Sequence, residues 1–257
     1  MNITLVSSLD IARHDILRST YLLRLEKDPS ALPERILKYS SQSLEESPQS
    51  ILFRHLYVFD PFTLRSWTPV IKSTLRHLQN KENILFPPST LSLHINVVEI
   101  RSCPSIPNLE NNASFTIGST IFLSQPLLQP HRKLAHEFIH ILQRLFPSSF
   151  HDYYLKTYPG IEEVTKEEVR RRFFGSEDEE EPRLVDNPDC SITDSIQYAL
   201  PPTGDDEREE RWLTFYDQDF QKSNIQLSGS SGSVSVGSSG WMHHPHELLA
   251  YKIEKII

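Results

Sequence analysis

Glycine is scarce in this chain of 257 residues, with 8 glycines against 18 prolines. A collagen-like or wholly linker-like chain is therefore excluded. Cysteine is scarcer still. Cys103 and Cys190 are the two present, without C-x-x-C spacing, and they are too few for a disulfide scaffold. Two reduced thiols in an intracellular protein are expected. No run of about 18 apolar residues occurs, so no membrane-spanning helix is expected. Positive charge is in deficit: 26 Lys and Arg against 34 Asp and Glu leave a net charge of −8. No basic stripe suited to nucleic acid or anionic lipid is visible, and neither partner is expected. Residues 1–15 lack the basic and apolar regions of a signal peptide. The location expected is intracellular, and the sequons at Asn2 and Asn112 are read as chance matches. The apolar fraction of 38% is lean for a globular chain, yet enough for a core at this length. Histidine runs the other way. Its 11 occurrences are roughly twice average usage.

The first 80 or so residues read mainly as helices. One opens at Ser8-Leu9-Asp10, carries Ile11, Ile16, Leu17 and Leu23 at near-helical spacing, and closes before Pro29. Others are expected over 33–39 and 69–78, with Pro61 and Trp67-Thr68-Pro69 as breaks. His14, His55 and His77 are isolated and read as ordinary core or surface histidines. Beyond Pro87-Pro88 the period changes to two. Leu91, Leu93, Ile95 and Val97 alternate with Ser92, His94 and Asn96, as in a strand with one buried face. Phe115, Ile117, Ile121 and Leu123 share one parity and predict a second strand, in which Gly118 marks a bulge or a close backbone approach. Residues 130–146 contain no internal Pro or Gly. Pro130 suits a first helical turn, and Leu134, Phe138, Ile141, Leu142 and Leu145 form a broad apolar stripe, so a helix is expected there. Two stretches read as flexible insertions. One, near 175–182, includes the acidic block 177–181. The other, 228–240, holds four of the chain's glycines and seven serines.

The expected helix contains His136-Glu137-Phe138-Ile139-His140, an HExxH pattern. Residues four apart stack on one helix face, so two imidazoles can reach one tetrahedral metal at about 2.0–2.1 Å. Glu137 is rotated about 100° from His136. It is poorly placed as a ligand but can reach a metal-bound water as general base. The flanking His131 and His151 read as bystanders. A catalytic zinc needs a third protein ligand and an open position. The metzincin extension is excluded, because Gln143 and Phe146 stand where Gly and His or Asp belong. The C-terminal segment offers Glu247, in the first turn of a helix starting at Pro245, with Ala250 small enough for close helix approach. The rivals for that third position are His243, His244 and His246.

HEFIH followed at long range by Glu247-x-x-Ala250 resembles the gluzincin branch of zinc metallopeptidases. The run Ala135-His136-Glu137-Phe138-Ile139-His140-Ile141-Leu142-Gln143-Arg144, with Asn187-Pro188-Asp189 followed by Tyr198 and with His244-Pro245-His246-Glu247, is similar to small zincins, including some encoded by large DNA viruses. The resemblance covers roughly 113–150 and 187–254. It implies an α+β fold: a zincin-like metallopeptidase domain over 85–257, built of a small sheet, an active-site helix and a C-terminal ligand helix, after a mainly helical N-terminal region, 1–84. It also implies zinc as cofactor, a peptide or protein as substrate, and Glu247 as third ligand. The expected reaction is peptide-bond hydrolysis by a zinc-activated water with Glu137 as base. The strand over 115–123 would be the edge that pairs with an extended peptide, with Ser114, Thr116 and Thr120 lining the cleft. Tyr251 stands where the family often has an aspartate, so Asp189 or Asp194 would orient the zinc-bound histidines. Tyr198, Tyr251 or one of the C-terminal histidines would donate to the developing oxyanion. A viral source would place the protein in the virion or host cytoplasm. The alternative class is a catalytically silent zincin-like scaffold or particle component.

Overall fold

The computed structural model describes residues 2–18, 48–87, 92–101, 114–125, 127–158, 162–164, 197–200, 211–213 and 245–257. The chain begins with a strand, β1 (Asn2–Val6), followed by α1 (Leu9–Arg18), α2 (Pro48–Arg54), β2 (Leu56–Val58) and α3 (Pro61–Asn80). The long strand β3 (Ser92–Ile100) comes next, then β4 (Phe115–Ile117) and β5 (Thr120–Ser124). Two helices follow, α4 (Pro130–Leu145) and α5 (Pro147–Thr157). Strands β6 (Glu162–Val164), β7 (Gln197–Leu200) and β8 (Arg211–Leu213) form a separate antiparallel sheet, and α6 (Pro245–Glu254) ends the order. This is a mixed α/β chain with a small sheet and several helices. No helix among the described residues is long and apolar enough to cross a membrane. The helix expected over 33–39 and the insertions near 175–182 and 228–240 lie outside the described residues.

The main sheet is built around β3. Its order is β1-β3-β5-β4, and β2 pairs with the far half of β3. The β1–β3 and β3–β5 pairs are parallel, while β2–β3 and β4–β5 are antiparallel. Both faces of the sheet are covered. On one face Leu93, Ile95, Val97, Ile121 and Leu123 join Trp67, Ile71, Leu78, Leu134, Phe138, Phe150, Leu249 and Ile253 in the larger core. On the other, Val98, Ile100, Ile117 and Phe122 meet Ala12, Ile16, Leu52 and Leu56. The strand expected to bury one face thus buries two, because α1 and α2 cover the second. Ile3, Leu64 and Trp67 share the larger core with Leu249 and Ile253, so part of the stretch 1–84 packs into the same interior as part of 85–257.

The stretch expected to be mainly helical also holds the strands β1 and β2, and two further expectations are corrected. β1 is five residues long, too short for periodicity to separate strand from helix, and its partner in β3 lies about ninety positions away. Trp67-Thr68-Pro69 is no break, because α3 runs through Pro69. An internal proline costs about 3 kcal/mol, but burying Ile71, Leu75 and Leu78 contributes about 1.5–3 kcal/mol each. With Leu64 and Trp67, these residues place one apolar face on the core across the proline. The Asp60 carboxylate caps the helix by accepting from the Phe62 and Thr63 amides, with Pro61 in the first turn. Finally, the single strand over 115–123 is a hairpin turning at Gly118-Ser119. Gly118 has φ +58°, and a Cβ there would lie 2.9 Å from Asp15 Cγ, so both the left-handed turn and the close approach require glycine. Phe115 stacks on Phe122 across this hairpin, with ring centroids 4.9 Å apart.

Candidate metal centre

Ten consecutive residues of α4, Leu134 through Gln143, are buried. The apolar ones are explained by packing against β4, β5, α3, α5 and α6. The polar ones, His136, Glu137, His140 and Gln143, need partners, because a buried polar group without one is costly.

For the two histidines those partners are specific. His136 Nδ1 lies 3.0 Å from Glu254 Oε2, in the last turn of α6. The hydrogen bond to His136 is the main reason the Glu254 carboxyl is held below its ordinary pKa, with burial opposing it. An ionised carboxylate only accepts, so His136 Nδ1 carries the proton. His140 Nδ1 lies 2.8 Å from Gln143 Oε1. Gln143 Nε2 donates to the His246 carbonyl at 3.0 Å and to Tyr154 Oη at 2.9 Å. A carbonyl only accepts, so this bond sets the orientation of the amide. Its oxygen faces His140, and His140 Nδ1 also carries its proton.

The consequence is at the opposite ring positions. The two Nε2 atoms stand 3.1 Å apart. The rings are inclined at 73°, with centroids 4.8 Å apart. Two ring nitrogens this close share a proton or a metal ion. Two nitrogens bound tetrahedrally at zinc distances would stand about 3.3 Å apart. The donor set therefore fits a soft or borderline divalent metal such as zinc.

The remaining candidates are placed as follows. Glu137 is buried on the same helix at 4% exposure. Tyr251, 37% exposed, sets its ring edge-on to His136 at 4.7 Å between centroids. Glu247 lies in the first turn of α6, and its side chain is outside the described residues. Tyr198 is in β7, paired with Glu163 and Leu213, and its side chain is likewise outside them. His243, His244, Asp189 and Asp194 are outside the described residues altogether. His246 is described, with Nδ1 2.8 Å from Tyr154 Oη. Among the described residues, no group of three or more His, Cys, Asp or Glu side chains is gathered for a metal.

Ser114, Thr116 and Thr120 do not line an open cleft, because all three are buried. The Ser114 hydroxyl accepts from the Ser124 amide, and Thr116 accepts from Arg144 Nη2 at 2.7 Å. Thr120 donates to Asp15 and accepts from Asn96. The hairpin is the cause: reversal at Gly118 puts Thr120 and Thr116 on opposite faces.

Three residues that orient the site were missed by sequence reasoning. Gln143 is three positions after His140, a spacing that places two side chains together on a helix, so a signal existed. Glu254 and Tyr154 carry none, since their contacts depend on how α6 and α5 pack on α4. No protein-family model, no curated protein and no solved structure matches the chain.

Proposed function

We propose that the protein is a zinc-dependent metallopeptidase with a gluzincin-like ligand set. The observation that carries this reading is the convergence of two Nε2 atoms to 3.1 Å, near the spacing of two zinc-bound nitrogens, with each ring fixed from behind through Nδ1. His136 and His140 would hold the zinc and Glu247 of α6 would complete the protein ligands. A bound zinc lowers the pKa of its water from 15.7 to about 7. Glu137 would serve as the general base and would hand the proton on to the leaving amine, the general acid–base role that such a motif needs. A purely structural site has no use for a buried glutamate beside its ligands. The small sheet, with α4 on one face and α6 packed along α4, supports a zincin-like architecture. Strand β4 lies at the end of the sheet order, which supports an extended peptide pairing along it. Tyr251, against the His136 ring, would donate to a developing oxyanion.

The test combines metal analysis with cleavage of a peptide library. The wild-type protein should bind one zinc per chain and cleave. Glu137→Gln should keep the zinc and lose cleavage by about 10²–10⁴-fold or more. Absence of zinc from the wild type, or unchanged cleavage in Glu137→Gln, would overturn the proposal. Zinc without cleavage of any peptide would favour the scaffold alternative.

A further inference from the structure

Gln143 is a neutral, buried side chain whose amide oxygen and both amide protons are engaged across three helices. Its oxygen accepts from His140 on α4, and its nitrogen donates to Tyr154 on α5 and to the His246 carbonyl at the start of α6. Because Tyr154 Oη accepts from Gln143, its own proton is available for His246 Nδ1, 2.8 Å away. Gln143 is 2% exposed, and Tyr154 and His140 are fully buried. In such surroundings a network is stable only when every member is satisfied.

We infer that Gln143 is a positioning residue that locks the tautomer of His140 and ties it to the first turn of the helix bearing Glu247. The inference rests on the metallopeptidase reading for its purpose, but not for its geometry. Flipping the amide would set its oxygen against the His246 carbonyl and its nitrogen against the proton of His140, breaking the network at both ends. His140 therefore keeps its Nε2 lone pair in the metal-free protein and needs no tautomeric change to bind. The same chain fixes His246. Its Nδ1 is hydrogen-bonded to Tyr154, so that nitrogen is not offered to a metal. Backbone and ring are held together immediately before Glu247, which favours Glu247 over His246 as third ligand.

The experiment reads the imidazole nitrogens of the full-length, metal-free protein by ¹⁵N NMR and zinc affinity by competition. Wild-type His140 should be the Nδ1–H tautomer. Gln143→Leu should lose that preference and bind zinc about 10–100-fold more weakly, the usual effect of removing a group behind a ligand histidine. Gln143→Glu, which still accepts from His140 but cannot donate to His246, should restore the tautomer. Tyr154→Phe should leave the His140 tautomer intact while releasing that of His246. A wild-type His140 protonated at Nε2, or a Gln143→Leu variant that keeps the wild-type tautomer and zinc affinity, would overturn the inference. If the tautomers behave as expected but the wild type binds no zinc, the positioning role stands and the metallopeptidase reading fails.

Discussion

The C-terminal helix α6 meets the rest of the protein at two polar clusters, and they differ in kind. Lys252 and Glu254 are about 200° apart around the helix, with the fully buried Leu249, Ala250 and Ile253 packed into the core. On one side, Lys252 Nζ and Tyr153 Oη both donate to Glu82 Oε2, at 2.6 and 2.7 Å, and His77 Nε2 lies 3.4 Å from the other oxygen. Burial pushes the Glu82 carboxyl up, but the bonds from Lys252 and Tyr153 outweigh it, and its pKa falls below the ordinary value. Tyr153 is driven the other way by burial and by the Glu82 charge, and burial pushes Tyr158 up to about 12. On the other side, Glu254 holds one imidazole so that its Nε2 faces that of a second. The first cluster pairs donors with an acceptor and is complete. The second brings two imidazole Nε2 atoms within 3.1 Å of one another, a spacing that fits a shared metal. A cleft of about 420 Å³, lined in part by Lys81, Asp152, Lys156 and Lys252, opens beside the complete cluster. The cleft and the paired imidazoles thus adjoin different sides of α6.

That contrast can be broken most sharply by substitution. His140→Ala should abolish zinc binding outright. Glu82→Ala should keep one zinc per chain yet destabilise the fold by about 1–3 kcal/mol, the cost of stranding the buried Tyr153 hydroxyl, as measured by urea unfolding. Equal loss of zinc in both variants would erase the distinction.

A smaller effect should appear with pH. The folded-state pKa of Glu82 is depressed, so its stabilising contribution is fully present above the unfolded value, about 4.3. That contribution is lost as pH falls through the folded value. Glu82→Gln should therefore be less stable than wild type near neutrality, and the two should converge in acid. A stability gap that persists or widens at low pH would contradict the depressed pKa.

The smallest effect belongs to a histidine outside both clusters. His131 is exposed at the start of α4, and His131→Ala should change stability by less than about 0.5 kcal/mol and leave zinc stoichiometry unaltered. A loss of metal there would enlarge the site beyond the residues assigned to it.

Much of the fold was legible where a pattern is local and long. The helix expected over 130–146 is α4, ending one residue earlier, and a helix starting at Pro245 is α6. The alternation before Val97 is β3. Legibility failed where elements are short or a local rule was outvoted. β1 and β2 are too brief to show a period, and Pro69 was carried through α3 by the apolar residues on either side of it.

The sequence by itself determined that His136, Glu137 and His140 share one helix, with both imidazoles on one face, because a 3.6-residue turn is a property of neighbouring residues. Only the tertiary structure decided which groups stand behind those imidazoles. Glu254 reaches His136 across 118 positions, and the His246 carbonyl reaches Gln143 across 103. No local period encodes such separations. They follow from burying Leu249, Ala250 and Ile253 against α4, a packing of apolar surfaces that brings the polar ends into register.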